Sequence, residues 1–98
     1  MTPTKQIILK NLKSSKEIVR QQYKAELKGL FGSYARNEQT KNSDIDILVK
    51  FLPEATLFDL SGLGNYLEKI LNTKVDIVSD RVIKKELKYY INNDLVSI

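Results

Sequence analysis

Apolar positions along the chain follow two periods, one helical and one extended, and their order predicts the elements. Ile8, Leu12, Val19 and Tyr23 fall close to one helical face, predicting a helix from about Pro3 to Lys24 with Thr2 and Pro3 as cap and first position. Leu27 to Phe31 is a short apolar run that stops at Gly32-Ser33, as a buried strand does when it runs into a tight turn. From Asp44 to Phe51 the pattern alternates. Ile45, Ile47, Val49 and Phe51 share one face, and Asp44, Asp46, Leu48 and Lys50 share the other. Pro53 closes that strand. Leu57, Leu60, Leu63, Leu67, Ile70 and Leu71 then mark an amphipathic helix that tolerates Gly62 and Gly64. Each glycine costs about 1 kcal/mol against alanine inside a helix, so their presence predicts close packing against a neighbour. Lys74 to Ser79 reads as a third strand, with Val75 and Ile77 alternating with Asp76 and Val78. Ile83, Leu87, Tyr90, Ile91 and Leu95 describe a last helix. The order predicts one small α/β (α+β) domain over residues 1–98, a mixed sheet of about three strands flanked by helices.

Composition narrows the chemistry. The 98 residues include no cysteine and no histidine, which excludes disulfides, thiol nucleophiles, imidazole bases and His-ligated metals. Any catalysis must use carboxylates, hydroxyls, Lys, Arg or the backbone. No apolar run nears the roughly 20 residues of a membrane helix, and Met1 to Lys13 lacks the shape of a secretory signal, so the expected location is cytoplasmic with no membrane partner. The net charge of +4 is unevenly spread: +5 over Met1 to Lys28, −3 over Gly29 to Asp80 and +2 over Arg81 to Ile98. Lys5, Lys10, Lys13, Lys16 and Lys24 lie on several sides of the first helix, with no interleaved aromatics to stack on bases. A solvated helix is the better reading, and no nucleic-acid partner is expected.

The chemistry concentrates in Gly32-Ser33-Tyr34-Ala35-Arg36 and Ser43-Asp44-Ile45-Asp46. Asp44 and Asp46, two apart in a strand, leave the same face with Cα atoms about 6.5 to 7 Å apart. Two bare carboxylates that close repel unless a cation lies between them, and oxygen-only ligands favour Mg²⁺ or Mn²⁺. Asp76, alone among Val75, Ile77 and Val78, is the candidate third acid, roughly 5 Å away if its strand pairs beside the Asp44 strand. Gly32 allows close approach of the backbone, whose N–H groups can cradle phosphate oxygens with help from the Ser33 hydroxyl. Phosphate on one side and metal on the other describe a nucleoside triphosphate. Arg36 could neutralise phosphate or tie the turn down through its guanidinium fork.

With those residues in that order, the chain resembles the minimal nucleotidyltransferases (MNT type) of the DNA polymerase beta-like superfamily, whose motif is Gly-Ser, a spacer, Asp-x-Asp and a later acid in a strand. Lys74-Val75-Asp76-Ile77-Val78 is similar to that last element, and the resemblance covers nearly the whole chain. It departs at Asn37, where the family often has glycine; asparagine is the next most tolerant of positive φ, so the turn is expected to survive. The resemblance implies the nucleotidyltransferase fold, ATP as substrate, and Asp44 and Asp46 holding two Mg²⁺ ions against the triphosphate. Asp76 would bind one metal and help deprotonate an attacking hydroxyl, while Gly32 and Ser33 hold the terminal phosphates. Short members of this kind are commonly antitoxins in type VII-like pairs that adenylylate a tyrosine of a HEPN-domain ribonuclease toxin. With only 98 residues the acceptor must come from such a partner, as an oligomer with the toxin. The alternative is a binding module that neutralises its partner by contact. Tyr89-Tyr90 and the apolar end Leu95 to Ile98 are candidate contact surfaces.

Overall fold

The computed structural model describes residues 3–80, 88 and 93–98. Helix α1 (Lys5–Tyr23) begins two residues later than the first cap pattern suggests, because Thr4, not Thr2, accepts the Ile7 N–H at 3.2 Å. It ends at Lys24 in the left-handed region, φ 52°. Strands β1 (Ala25–Phe31) and β2 (Ile45–Phe51) follow, then α2 (Leu57–Leu71), β3 (Val75–Ser79) and a short β4 (Val96–Ser97). At the start of α2, the Asp59 carboxylate accepts the Thr56 N–H at 2.8 Å. The expected last helix falls mainly outside the described residues, as do Ile83, Leu87, Tyr89, Tyr90 and Ile91; Lys88, Asn93 and Asp94 are helical.

The four strands form one mixed sheet in the order β3-β2-β1-β4. β1 runs antiparallel to both β2 and β4, and β2 runs parallel to β3. The parallel pair requires a crossover, which α2 supplies. The fourth strand is a finding: the apolar end Leu95 to Ile98, read from sequence as a contact surface, returns to pair with Gly29 and Leu30. Ile98 N–H donates to the Lys28 carbonyl at 3.1 Å, and the Lys16 ammonium reaches the Ile98 carbonyl at 2.9 Å. A side chain at Gly29 would run into the Leu95 side chain and the Val96 carbonyl, so glycine lets this segment close in.

The register of β1 shifts between Leu27 and Gly29, which leaves Lys28 as the extra residue of a bulge. Leu27 and Leu30, three apart, therefore both enter the main core. That core joins Ile8, Leu12 and Val19 of α1 with Leu63, Leu67 and Leu71 of α2 and Ile45, Ile47 and Val49 of β2. Phe31 is turned the other way into a small cluster with Leu48, Val78 and Leu95. Both sheet faces are thus covered near Leu48. The helical stripe also overreaches at its start: Leu57 is exposed and Leu60 is 38% exposed, and Phe58, outside the stripe, is exposed too. Among the described residues, no helix is long and apolar enough to cross a membrane.

The two helical glycines have different surroundings. A Cβ on Gly62 would stand 2.9 Å from Tyr23 Cε1, whose ring lies 5.5 Å from that of Tyr66, whereas one on Gly64 would make an ordinary 3.8 Å contact with Ile77. Gly64→Ala is expected to raise stability by about 0.5 to 1 kcal/mol through helix propensity. Gly62→Ala should forfeit that gain, because the Tyr23 ring must move. Paired thermal melts check this, and equal stabilisation by both would refute the packing argument.

Candidate active site

β1 delivers Gly32 and β2 delivers Asp46 to adjacent positions at one end of the sheet. Gly32 has φ +79°, a conformation that costs other L-residues energy, and a Cβ there would overlap Asp46 Oδ2. The turn after it is held by its own backbone: Ala35 and Arg36 N–H donate to the Gly32 carbonyl at 3.1 and 3.2 Å, and Glu38 N–H donates to the Ser33 carbonyl at 2.9 Å. Asn37 closes the turn at φ 59°, the positive φ expected of the residue standing where the family often has glycine.

On its other side Asp46 is the direct partner of Asp76 in the parallel ladder, which puts their Cα atoms about 4.8 Å apart. Asp44 precedes β2 on the same side as Asp46, and the Ile45 N–H donates to the Lys74 carbonyl at 2.9 Å, locking the starts of the two strands together. The three acids named from sequence are therefore brought together, with Gly32-Ser33 beside them. One part of the expectation changes. An aspartate buried without a partner is costly, but Asp76, although its neighbours in the strand are apolar, is exposed on edge strand β3. The cost falls on the partly buried Asp46: burial first, then the Asp76 and Asp44 charges, push its carboxyl from 3.8 up to about 6, with Arg36 pulling the other way.

Folded protein holds the Asp46 proton to higher pH than the unfolded chain. The contribution of Asp46 to stability is therefore fully present below pH 3.8 and is lost as pH rises through about 6. Asp46→Asn, neutral throughout, is expected to be more stable than wild type at pH 7.5 in chelator. The gain should be on the order of 1 kcal/mol, because solvent contact holds it below the full linkage value. It should vanish near pH 4. Melts across this range check the sign; a variant less stable at pH 7.5 would contradict it.

Arg36 was left with two roles, and the structure displays the second. Its Nε donates to Glu38 at 3.1 Å and its Nη1 pairs with Asp94, tying the turn to the segment that carries β4. Sequence spacing could not reveal Asp94, which lies 58 residues away.

The donor set fits a hard divalent cation. Among the described residues, no group of three or more carboxylates stands in an arrangement that could hold a metal ion by itself. Mg²⁺ is typically held by one or two carboxylates together with substrate phosphates. The Asp44 and Asp76 charges both act on Asp46, only partly offset by Arg36, and the lack of a Cβ at Gly32 lets the Asp46 carboxylate lie against the turn.

Comparison with known proteins agrees with this geometry. Residues 12–97 match the family model for the nucleotidyltransferase domain. A protein of Methanocaldococcus jannaschii provisionally named a protein adenylyltransferase is 42% identical over 89% of this chain and 90% of its own length. The protein adenylyltransferase MntA of Thermococcus cleftensis is 32% identical over 89% of this chain and 88% of its own. A solved structure described provisionally as a minimal nucleotidyltransferase superposes with TM-score 0.73 at 33% identity, covering 92% of this chain and 95% of that one. A toxin–antitoxin crystal structure with AMP-PNP superposes with TM-score 0.68 at 27% identity, covering 86% and 69% respectively. A glycine pressed against one aspartate of an Asp-x-Asp pair, with a third acid in the next strand, is thus carried by a chain that belongs to the nucleotidyltransferase domain family of the DNA polymerase beta-like superfamily.

Proposed function

We propose that this chain transfers AMP from ATP to a tyrosine hydroxyl of a HEPN-type ribonuclease toxin, the hydroxyl oxygen bonding to the α-phosphorus as the α–β phosphoanhydride bond breaks and pyrophosphate leaves, and so acts as its antitoxin. The observation that carries the reading is Asp46, held against Gly32 on one side and registered with Asp76 on the other. Asp44, Asp46 and Asp76 would hold two Mg²⁺ ions, which when bound neutralise the triphosphate and the charge developing on the transferred phosphoryl group. Gly32 and Ser33 present backbone N–H groups and a hydroxyl to the terminal phosphates. Asp76, exposed at the sheet edge, accepts the proton of the incoming hydroxyl. Arg36 adds positive charge beside the phosphates while its contacts with Glu38 and Asp94 hold the turn. The polypeptide acceptor is supported by the relatives named as protein adenylyltransferases, and the toxin by the superposed toxin–antitoxin complex.

Co-expression with a HEPN-type toxin tests the reading by intact mass. Gain of adenylyl groups on that protein is the expected result. Neutralisation by contact alone is the competing reading, favoured by the exposed apolar pair Leu57 and Phe58. It predicts a stable complex with an unmodified partner.

A further inference from the structure

Tyr34 carries a feature that the transfer mechanism above leaves unused. Its side chain is fully buried in the main core, yet its hydroxyl has no hydrogen-bond partner among the described residues. A phenylalanine would fill the same space without an unpaired buried donor, and such groups call for an explanation. The turn that carries Tyr34 is held by the N–H groups of Ala35 and Arg36 on the Gly32 carbonyl, so the ring position is fixed by the same backbone that shapes the phosphate side.

Tyr34 also lines a cavity of about 570 Å³ at the starts of β2 and β3, together with Lys41, Ser43, Asp44, Thr73 and Lys74. Among the described residues, the Asp44 carboxylate makes no hydrogen bond or ion pair. One cavity is therefore lined by a residue whose buried hydroxyl has no acceptor among the described residues and by an exposed carboxylate that no described protein group holds in place. We propose that the Tyr34 hydroxyl donates to the Asp44 carboxylate when the site is loaded, orienting it toward the cation; Tyr34 is then a positioning residue. Carboxylates that ligate metals are themselves held by hydrogen bonds, and removing such a partner typically weakens metal affinity by about 10 to 100-fold. Burial and the Asp44 charge both keep the phenol protonated, which is the form that donates. The inference rests on the metal-binding role proposed for Asp44.

The test uses the full chain and Tyr34→Phe. Mn²⁺ is titrated by electron paramagnetic resonance in the presence of saturating non-hydrolysable ATP analogue, and thermal melts are run in chelator. The expected result is Mn²⁺ affinity about tenfold weaker with an unchanged or higher melting temperature. Introduced into Asp44→Asn, Tyr34→Phe should produce no further loss. Wild-type affinity in the folded single variant overturns the role of Tyr34 alone, as does an equal loss in the Asp44→Asn background. A wild-type protein that binds no Mn²⁺ overturns the metal site and the role of Tyr34 together.

Discussion

Replacing Asp44 and Asp46 together by asparagine is expected to abolish nucleotidyl transfer, by on the order of a thousandfold or more, without unfolding the protein. Both substitutions are nearly isosteric, so the packing of β2 against the helices is untouched. The acids and the core residues occupy opposite faces of that strand, Asp46 with Phe31 and Leu48 on one side, Ile45 and Ile47 on the other. The two amides remove the charge that a hard cation needs and keep the shape that the fold needs. Intact mass of the co-expressed HEPN protein reads the chemistry, and a thermal melt in chelator reads the fold. The melt should move upward, because Asp46 is a destabilising charge in the empty protein. Undiminished transfer by this double variant would sink the proposed mechanism. Loss of transfer with full rescue of growth at native expression would move the antitoxin function to binding.

The second large effect is expected at a residue with no functional group. Gly32→Ala meets two penalties. A non-glycine residue at φ +79° costs roughly 1 to 2 kcal/mol, and the new methyl overlaps Asp46 Oδ2. The carboxylate must turn away, and a displacement of about 1 Å at a reacting centre can cost a hundredfold. Transfer should therefore fall by about a hundredfold or more, with the melting temperature lowered by roughly 5 to 10 °C. Ser33→Ala is the informative companion: it keeps the backbone donors and removes one hydroxyl, so its loss should be smaller and its stability unchanged. A Gly32→Ala protein with wild-type transfer would show that Asp46 has room to spare.

Much of this architecture is local and therefore legible in the sequence. The helical period from Ile8 to Val19, the strand alternation from Ile45 to Phe51 and the glycine that stops β1 each express a preference set by a few neighbouring residues. Gly32-Ser33, Asp44-x-Asp46 and Asp76 were likewise readable as the parts of one site, since each sits at the end or start of a strand that the pattern already predicts.

What depends on distant residues was not legible. The bulge at Lys28 decides that Leu30 faces the helices and Phe31 the other side, and no period in β1 announces it. Asp94 on Arg36 and the return of Val96 and Ser97 to β1 join segments separated by more than 50 residues. Leu57 continues the apolar stripe of α2 yet is exposed, as is its neighbour Phe58, because the burial of a stripe's first turn depends on what lies against it and not on its period.

By itself, then, the sequence determined the elements, the acids and the glycine, because local chemistry limits which backbone conformations those residues accept. Only the tertiary structure decided that Asp46 faces Asp76 across a parallel pair and Gly32 across an antiparallel one. Register is a collective choice, made by burying one face of every strand at once, and the alignment of the three acids is a consequence of that burial.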